Sequence, residues 1–161
     1  MKHLLSIILI FTSALIHAQQ KTDFNGTYSI NKSKIDFGDA PDNILPVRYK
    51  ILLNDDKLTI ITTTIDDQDS ESSFTETLIF GGAPVETSLP SGRKRKASVI
   101  WNSDKTAFTV ISNSISVDGQ QGSKITATWS FVDDGKTLFI DRSVEQANGL
   151  KYNIKGYYDR Q

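Results

Sequence analysis

The sequence predicts an all-β protein folded as an antiparallel up-and-down β-barrel of about ten strands. The clearest sign lies between residues 123 and 160, where apolar side chains such as Trp129 and Phe131 alternate with polar ones and two similar segments follow. Side chains two positions apart lie on one face of a strand, so each segment has an apolar and a polar face. The second sign is the connections, because Asp134-Gly135 and Asn148-Gly149 supply the positive φ that tight hairpins need.

The other predicted strands are also short alternating segments that end at turn signals. These seven strands cover residues 24–30, 47–53, 58–65, 74–80, 84–87, 94–101 and 106–117, and the three strands within 123–160 bring the number to ten. An open sheet would leave two exposed edges, which invite aggregation, and pairing of the first strand with the tenth removes them. A two-sheet sandwich is the alternative, although it normally needs Greek-key crossings. The outward positions are mostly Thr, Ser, Lys and Arg, so an outer-membrane barrel with an apolar exterior is not predicted.

The first 18 residues have the pattern of a secretory signal peptide. Lys2 and His3 precede an apolar block over residues 4–15, and Ala18 ends the segment before two glutamines. The block is too short for a membrane span. We therefore expect residues 1–18 to be removed, residues 19–161 to form one barrel domain, and the protein to be secreted into a periplasm or the medium, without insertion into a membrane.

Composition excludes several kinds of chemistry. The chain has no Cys, and its Met and His residues, Met1, His3 and His17, all fall within the predicted signal peptide. The mature chain then offers no histidine base, no thiol nucleophile and no nitrogen or sulfur metal ligand, so we predict no catalytic residues, no metal site and no cofactor. A net charge of −1 gives no electrostatic footprint for nucleic acid.

Several short motifs resemble those of small secreted bacterial proteins of the lipocalin-like, calycin type. Gly26-Thr27-Tyr28 is similar to the Gly-x-Trp that opens lipocalins, and Arg160 to the strand-end arginine that packs across that aromatic ring. The other matching motifs are residues 31–34, 38–41, 82–85, 134–138 and 158–161. The resemblance covers nearly the whole mature chain and implies a lipocalin-like barrel. Each motif is a turn or a strand end, so it implies ligand binding only by analogy.

The predicted strand order sorts the turns into two rims. One rim collects tight turns at 54–57, 81–82, 102–105 and 133–136, and there we expect Arg160 to lie over Phe24 and Tyr28 as the floor of the barrel. The other rim collects longer connections, including 32–45, and is the predicted mouth. Phe37 and Leu45 are apolar residues of that connection, and we expect them to act as a flap.

Charged residues at strand positions that face the predicted core indicate a ligand site near the mouth. Arg95 and Arg142 both lie in step with core positions, and an unpaired buried guanidinium is costly. Three interpretations remain open: an internal ion pair with Glu76, capture of the acidic head of an apolar ligand, and extension of the side chains to the mouth. The predicted ligand-binding residues are Arg95, Arg142, Tyr49, Tyr152, Trp129, Phe131, Glu76 and Phe37.

These observations favour a secreted, monomeric protein that binds a small apolar or amphipathic molecule. If Arg95 and Arg142 capture an acidic head group, that molecule is an anion. The alternative is a secreted structural or inhibitory protein whose barrel is packed solid. An enzyme is not predicted, because Glu76 has no acidic neighbour on its core face. The basic run 93–96 is interpreted as a solvated edge, and the acidic segment 66–71 as a polar hairpin rather than a calcium loop.

Overall fold

The structure, a computed structural model, describes residues 22–40 and 45–161, and the predicted signal peptide lies outside them. The described residues form an all-β protein of ten antiparallel strands with two short 3-10 turns, Lys32–Lys34 and Asp133–Gly135. The strands are β1 (Gly26–Ile30), β2 (Arg48–Asn54), β3 (Lys57–Ile65), β4 (Glu71–Ile79), β5 (Val85–Ser88), β6 (Lys94–Trp101), β7 (Ala107–Ile115), β8 (Gln121–Val132), β9 (Thr137–Glu145) and β10 (Lys151–Arg160). Within the same residues, no helix is both long and apolar enough to span a bilayer.

The strands form one curved sheet that is nearly closed into a barrel, which confirms the predicted fold class and excludes the sandwich. The hydrogen-bonded order is β4-β3-β2-β1-β10-β9-β8-β7-β6-β5. The first and last strands pair as expected, with Tyr28 opposite Arg160 and Ile30 opposite Tyr158. The chain therefore joins its two ends in the middle of the sheet rather than at an edge.

The barrel has one seam, between β4 and β5, where the described strands share no ladder. At the floor the seam is held by a bridge between Phe80 and Val99, and the N–H of Gly81 donates to the carbonyl of Val99 at 3.0 Å. The chain turns there through Gly81, which has φ +70°, and through Pro84, which has no N–H to give to a ladder. Nearer the mouth, the described residues make no backbone hydrogen bond between the two edges.

The half of the barrel next to the floor is filled with aromatic side chains. Phe24 stacks on Phe131 with ring centroids 4.8 Å apart and meets Phe108 edge-on at the same distance. Phe80 stacks on Trp101 at 4.2 Å. Offset and edge-to-face pairs of this kind add about 0.5–1.5 kcal/mol each to the burial of their surface. This floor cluster leaves no room for a ligand at the lower end.

Arg160 seals the floor from below, at the position that the sequence predicts. Its Nη2 donates to the carbonyl oxygens of Asp23 and Asn25 at 3.0 and 3.1 Å and to the Tyr28 hydroxyl at 2.9 Å. The guanidinium carbon lies 5.5 Å from the ring centroids of both Tyr28 and Phe131. Tyr28 in turn donates to the carbonyl of Phe24 at 2.9 Å, so the strand-end arginine fixes the segment that leads into β1.

Candidate ligand-binding cavity

A cavity of about 210 Å³ lies above the floor cluster, in the half of the barrel near the mouth. Its wall combines apolar side chains with hydroxyl groups and three charged residues. The lining residues are Pro46, Tyr49, Ile60, Thr62, Thr64, Phe74, Glu76, Leu89, Arg95, Ser112, Ser114, Ile125, Ala127, Trp129, Ile140 and Arg142. Pro46 and Leu89 belong to connections rather than strands, so the loops of the predicted mouth also border this space.

The alternation of the strands places the charged side chains on the inner face. Arg142 lies two residues from the buried Ile140 and Val144 on β9, and Glu76 lies two residues from the buried Leu78 on β4. Arg95 occupies the inner face of β6, two residues before the buried Ala97. The pleat that builds the core thus also directs these three polar groups into the cavity.

Glu76 and Arg95 form an ion pair inside the barrel. The Oε1 of Glu76 lies 3.3 Å from the Nη2 of Arg95, and the two side chains are 2% and 21% exposed. Burial raises the pKa of the Glu76 carboxyl above its usual range, and the nearby Arg95 opposes this rise. Since Glu76 belongs to β4 and Arg95 to β6, the pair crosses the seam from the inside.

Arg142 has no such partner in the described part of the chain. Among the described residues it makes no ion pair, and its buried Nε has no hydrogen-bond acceptor. The indole Nε1 of Trp129 and the second oxygen of Glu76, Oε2, are also buried without a hydrogen-bond partner in the described part of the chain. A buried donor or acceptor in this state costs about 1–3 kcal/mol. With two arginines and one glutamate, the cavity wall carries one positive charge in excess.

Tyr49 connects the cavity to the core below it. Its ring meets Trp129 edge-on at 4.7 Å and Tyr158 at 4.9 Å. Burial raises the pKa of the Tyr49 hydroxyl, although Arg142 and Arg95 oppose the rise, and burial likewise raises the pKa of Tyr158. Both phenols are therefore neutral at physiological pH and contribute polar O–H groups rather than charge.

Five of the eight residues predicted for the site come together in this cavity: Tyr49, Glu76, Arg95, Trp129 and Arg142. The structure places the other three elsewhere. Phe131 lies in the floor cluster, Tyr152 is half-buried on β10 opposite Val144 without lining the cavity, and Phe37 borders a separate cleft.

The predicted ligand-binding residues do not include the hydroxyl residues of the wall. The inward Thr62 and Thr64 of β3 are smaller than the residues that would fill a packed barrel, and so are Ser112 and Ser114 of β7. The signal that could have identified them is the presence of small polar residues at inward-facing positions of two strands. These small side chains leave open the space that large aromatic residues occupy at the floor.

The separate cleft, of about 460 Å³, lies between the β1–β2 connection and the turn after β3. One wall is apolar and includes Phe37 and Leu45, the residues predicted as a flap, and the other carries Asp66, Asp67 and Asp69. Asp66 has a structural role, because its Oδ1 accepts from the backbone N–H groups of residues 68 and 70 at 2.9 Å. This bonding supports the interpretation of segment 66–71 as a polar hairpin.

Comparison with known proteins identifies a fold but no family. No family model and no curated protein matches the chain. Among solved structures, zebrafish ileal bile acid-binding protein complexed with cholic acid aligns with a TM-score of 0.57 and 14% identity over 86% of this chain and 98% of that one. A mutant of the fluorescent protein UnaG aligns with a TM-score of 0.53 and 16% identity, covering 86% and 96%. At such identities the likeness shows a calycin-type barrel fold alone.

Proposed function

We propose that this protein binds a small amphipathic anion inside the barrel, with the acidic group at Arg142. The observation that carries the proposal is the excess positive charge of an otherwise largely apolar cavity, because Arg142 has no ion-pair partner among the described residues. A guanidinium binds carboxylate and similar anions through paired hydrogen bonds. A ligand anion would supply the missing partner, and Trp129 Nε1 would give it a further donor.

Two further points support a binding role. Ligand sites are commonly apolar cavities with a few convergent polar groups, which describes this wall. One solved structure of the same fold is a bile acid-binding protein in complex with cholic acid. That ligand belongs to the other protein, and it supports only the idea that a barrel of this kind holds an amphipathic acid.

The size of the cavity limits the ligand. A dry cavity of about 150 Å³ is enough to hold benzene, whereas pockets for drug-sized ligands occupy about 300–1,000 Å³. At about 210 Å³ the barrel interior accommodates one ring or a short acyl segment together with its head group. We therefore propose a small aromatic or short-chain acid rather than a steroid or a long lipid enclosed whole.

Calorimetric titration with small aromatic carboxylates and their matched primary alcohols tests this function. The acids should bind and the alcohols should bind about 10- to 100-fold more weakly, since a hydrogen bond to a charged group contributes about 1.5–3 kcal/mol. Arg142→Gln should remove the difference. Arg48→Gln is the matched control, because Arg48 faces outward on β2 and pairs with Glu71 at 2.8 Å. Equal binding of acids and alcohols would contradict the proposal.

A second candidate is a barrel that binds no small molecule and acts as a structural or inhibitory protein. The solid aromatic floor and the small volume of the cavity favour it. Native mass spectrometry of protein purified from its own source separates the two, since a reproducible bound small molecule supports binding and a uniform ligand-free mass supports the second candidate.

We further propose that the protein is secreted and monomeric and that it is not an enzyme. Secretion rests on the signal-peptide pattern of residues 1–18. Mass spectrometry of the mature protein should give an N-terminus at Gln19, and light scattering should give the mass of one chain. An intact N-terminus or a dimer mass would contradict these two points.

A further inference from the structure

Glu76 has a carboxylate oxygen that its ion pair leaves unused. The side chain is 2% exposed, and its Oε1 lies 3.3 Å from Arg95. Its Oε2 is buried and accepts no hydrogen bond from the described residues. An acceptor in this state costs free energy unless a donor reaches it, and every carboxylate oxygen can accept from an O–H or N–H group. This oxygen belongs to a residue that lines the cavity, so a ligand is a suitable donor.

The charged groups of the wall belong to one small cavity. Glu76, Arg95 and Arg142 all line the same space of about 210 Å³, together with Tyr49, and Oε1 of Glu76 lies 3.3 Å from Nη2 of Arg95. A ligand in so small a space is therefore near both the unpaired arginine and the unused carboxylate oxygen. One small molecule can contact both.

We propose that the cavity selects a monoanion that also carries a neutral hydrogen-bond donor: the anionic group meets Arg142, and a hydroxyl or amide N–H donates to Oε2 of Glu76. This inference rests on the proposed function and defines its ligand class further. In it, Glu76 is a specificity-determining residue, and Arg142 and Trp129 supply donors to the anion. Small hydroxylated carboxylic acids fit this pattern.

The balance of charge favours a neutral donor over an ammonium group. The wall has two arginines and one glutamate, so a monoanion brings the site to neutrality. A zwitterion has no net charge and would leave one positive charge buried, which is costly in a site of low polarity. A hydroxyl or amide satisfies Glu76 and leaves the neutral balance unchanged. The same reasoning predicts that an amino acid binds more weakly than the corresponding hydroxy acid.

The experiment compares three sets of acids on the wild-type protein by calorimetry: phenylpropionate, its ortho, meta and para hydroxy derivatives, and the corresponding methoxy derivatives. A site built around a ligand O–H discriminates against analogues that lack it. At least one hydroxy acid should bind about 10- to 100-fold more tightly than phenylpropionate and than its own methoxy analogue, which accepts but does not donate.

Two variants assign the effect to Glu76. Glu76→Leu combined with Arg95→Leu removes the acceptor and the ion pair together, which avoids leaving one buried charge alone. It should abolish the hydroxyl preference and retain the preference for acids over alcohols that depends on Arg142. If the double variant does not fold, as judged by its melting transition, Glu76→Gln should reduce the preference. Glu86→Gln is the control, because Glu86 pairs with Lys94 on the exterior at 2.7 Å.

The outcomes separate this inference from the function on which it rests. Equal affinity of the hydroxy acids and phenylpropionate, with binding still dependent on Arg142, overturns the role of Glu76 and leaves anion binding intact. A hydroxyl preference that survives in the double variant also overturns it. Failure of every acid to bind overturns both.

Discussion

Replacement of Arg160 by Met should destabilise the barrel, although the residue is exposed and lies far from the cavity. The substitution keeps an unbranched side chain but removes the hydrogen bonds that the guanidinium makes below the floor. The carbonyls of Asp23 and Asn25 and the hydroxyl of Tyr28 lose their shared donor. The segment that leads into β1 would then keep the ring contacts of Phe24, the hydrogen bonds between Asn25 and Leu53, and the ladders of β1 with β2 and β10.

The size of the effect follows from the geometry. One Nη2 carries two hydrogens, so its three acceptors at 2.9–3.1 Å count as about two hydrogen bonds, and each contributes about 1 kcal/mol. The guanidinium over Tyr28 and Phe131 adds about 0.5–1 kcal/mol at an exposed site. Together these amount to about 2–3 kcal/mol, a large part of the roughly 5–15 kcal/mol that is usual for a domain.

Urea denaturation measured by tryptophan fluorescence is the assay. Arg160→Met should lower the midpoint without changing the slope, because the surface exposed on unfolding is nearly the same. Arg160→Lys should give an intermediate value, since an ammonium keeps the charge but not the planar donors. Arg48→Met, which breaks a surface ion pair, should change stability by less than about 0.5 kcal/mol. If Arg160→Met also changed it by no more than this, the strand-end arginine would not be what holds the floor.

Three further predictions concern the cavity and the seam. Burial raises the pKa of Glu76 above its ordinary value of 4.5, so the folded state holds the proton more tightly, and this contribution to stability is lost as pH rises from about 4.5 through the raised pKa. Denaturation measured across a pH range of about 4–8 should therefore show Glu76→Gln gaining stability relative to wild type as pH rises. A constant difference in stability between the two proteins would refute the pKa shift. Gly156→Ala should lower the free energy of unfolding by about 1–3 kcal/mol despite the better strand propensity of Ala, because the added Cβ would lie 2.8 Å from the ring of the fully buried Tyr158. Ser143→Ala, at an exposed position of β9, is the control, and equal melting temperatures of the two variants would show that the Tyr158 ring can move. Replacing both Glu76 and Arg95 by Gln should accelerate hydrogen exchange in β4 and β5 and leave β9 and β10 unchanged, because the pair crosses the seam; uniform exchange would show that the seam is held by other contacts.

The strands and their faces could be predicted from the sequence, because alternation and turn residues are local signals. The predicted strand over residues 94–101 is β6 with those limits, and β8 begins only two residues before its predicted start at 123. The pairing of β1 with β10 follows from the need to remove edges. The seam does not follow, since alternation defines which face a side chain occupies and not which neighbour a strand pairs with. Pro84 and the shortness of β5 are the local hints.

The site could be predicted in part for a related reason. Parity places Glu76, Arg95 and Arg142 inside the barrel, and the ion pair between the first two is one of the alternatives that the sequence leaves open. Parity does not give height along the barrel axis, which depends on the tilt and stagger of the strands. Phe131 shares a face with Trp129 but lies one pleat lower, where it stacks on Phe24 rather than lining the cavity.

The aromatic floor gives the barrel a fixed depth. Phe24 and Phe108 are fully buried and pack against the partly buried Phe80, Trp101 and Phe131, so the cluster acts as a stop that an entering molecule cannot push aside without breaking ring contacts. An acid longer than the space above this stop has to leave part of its length outside the mouth of the barrel. The barrel would then sort a homologous series by length, and affinity should stop rising with each added methylene once the chain reaches the rings.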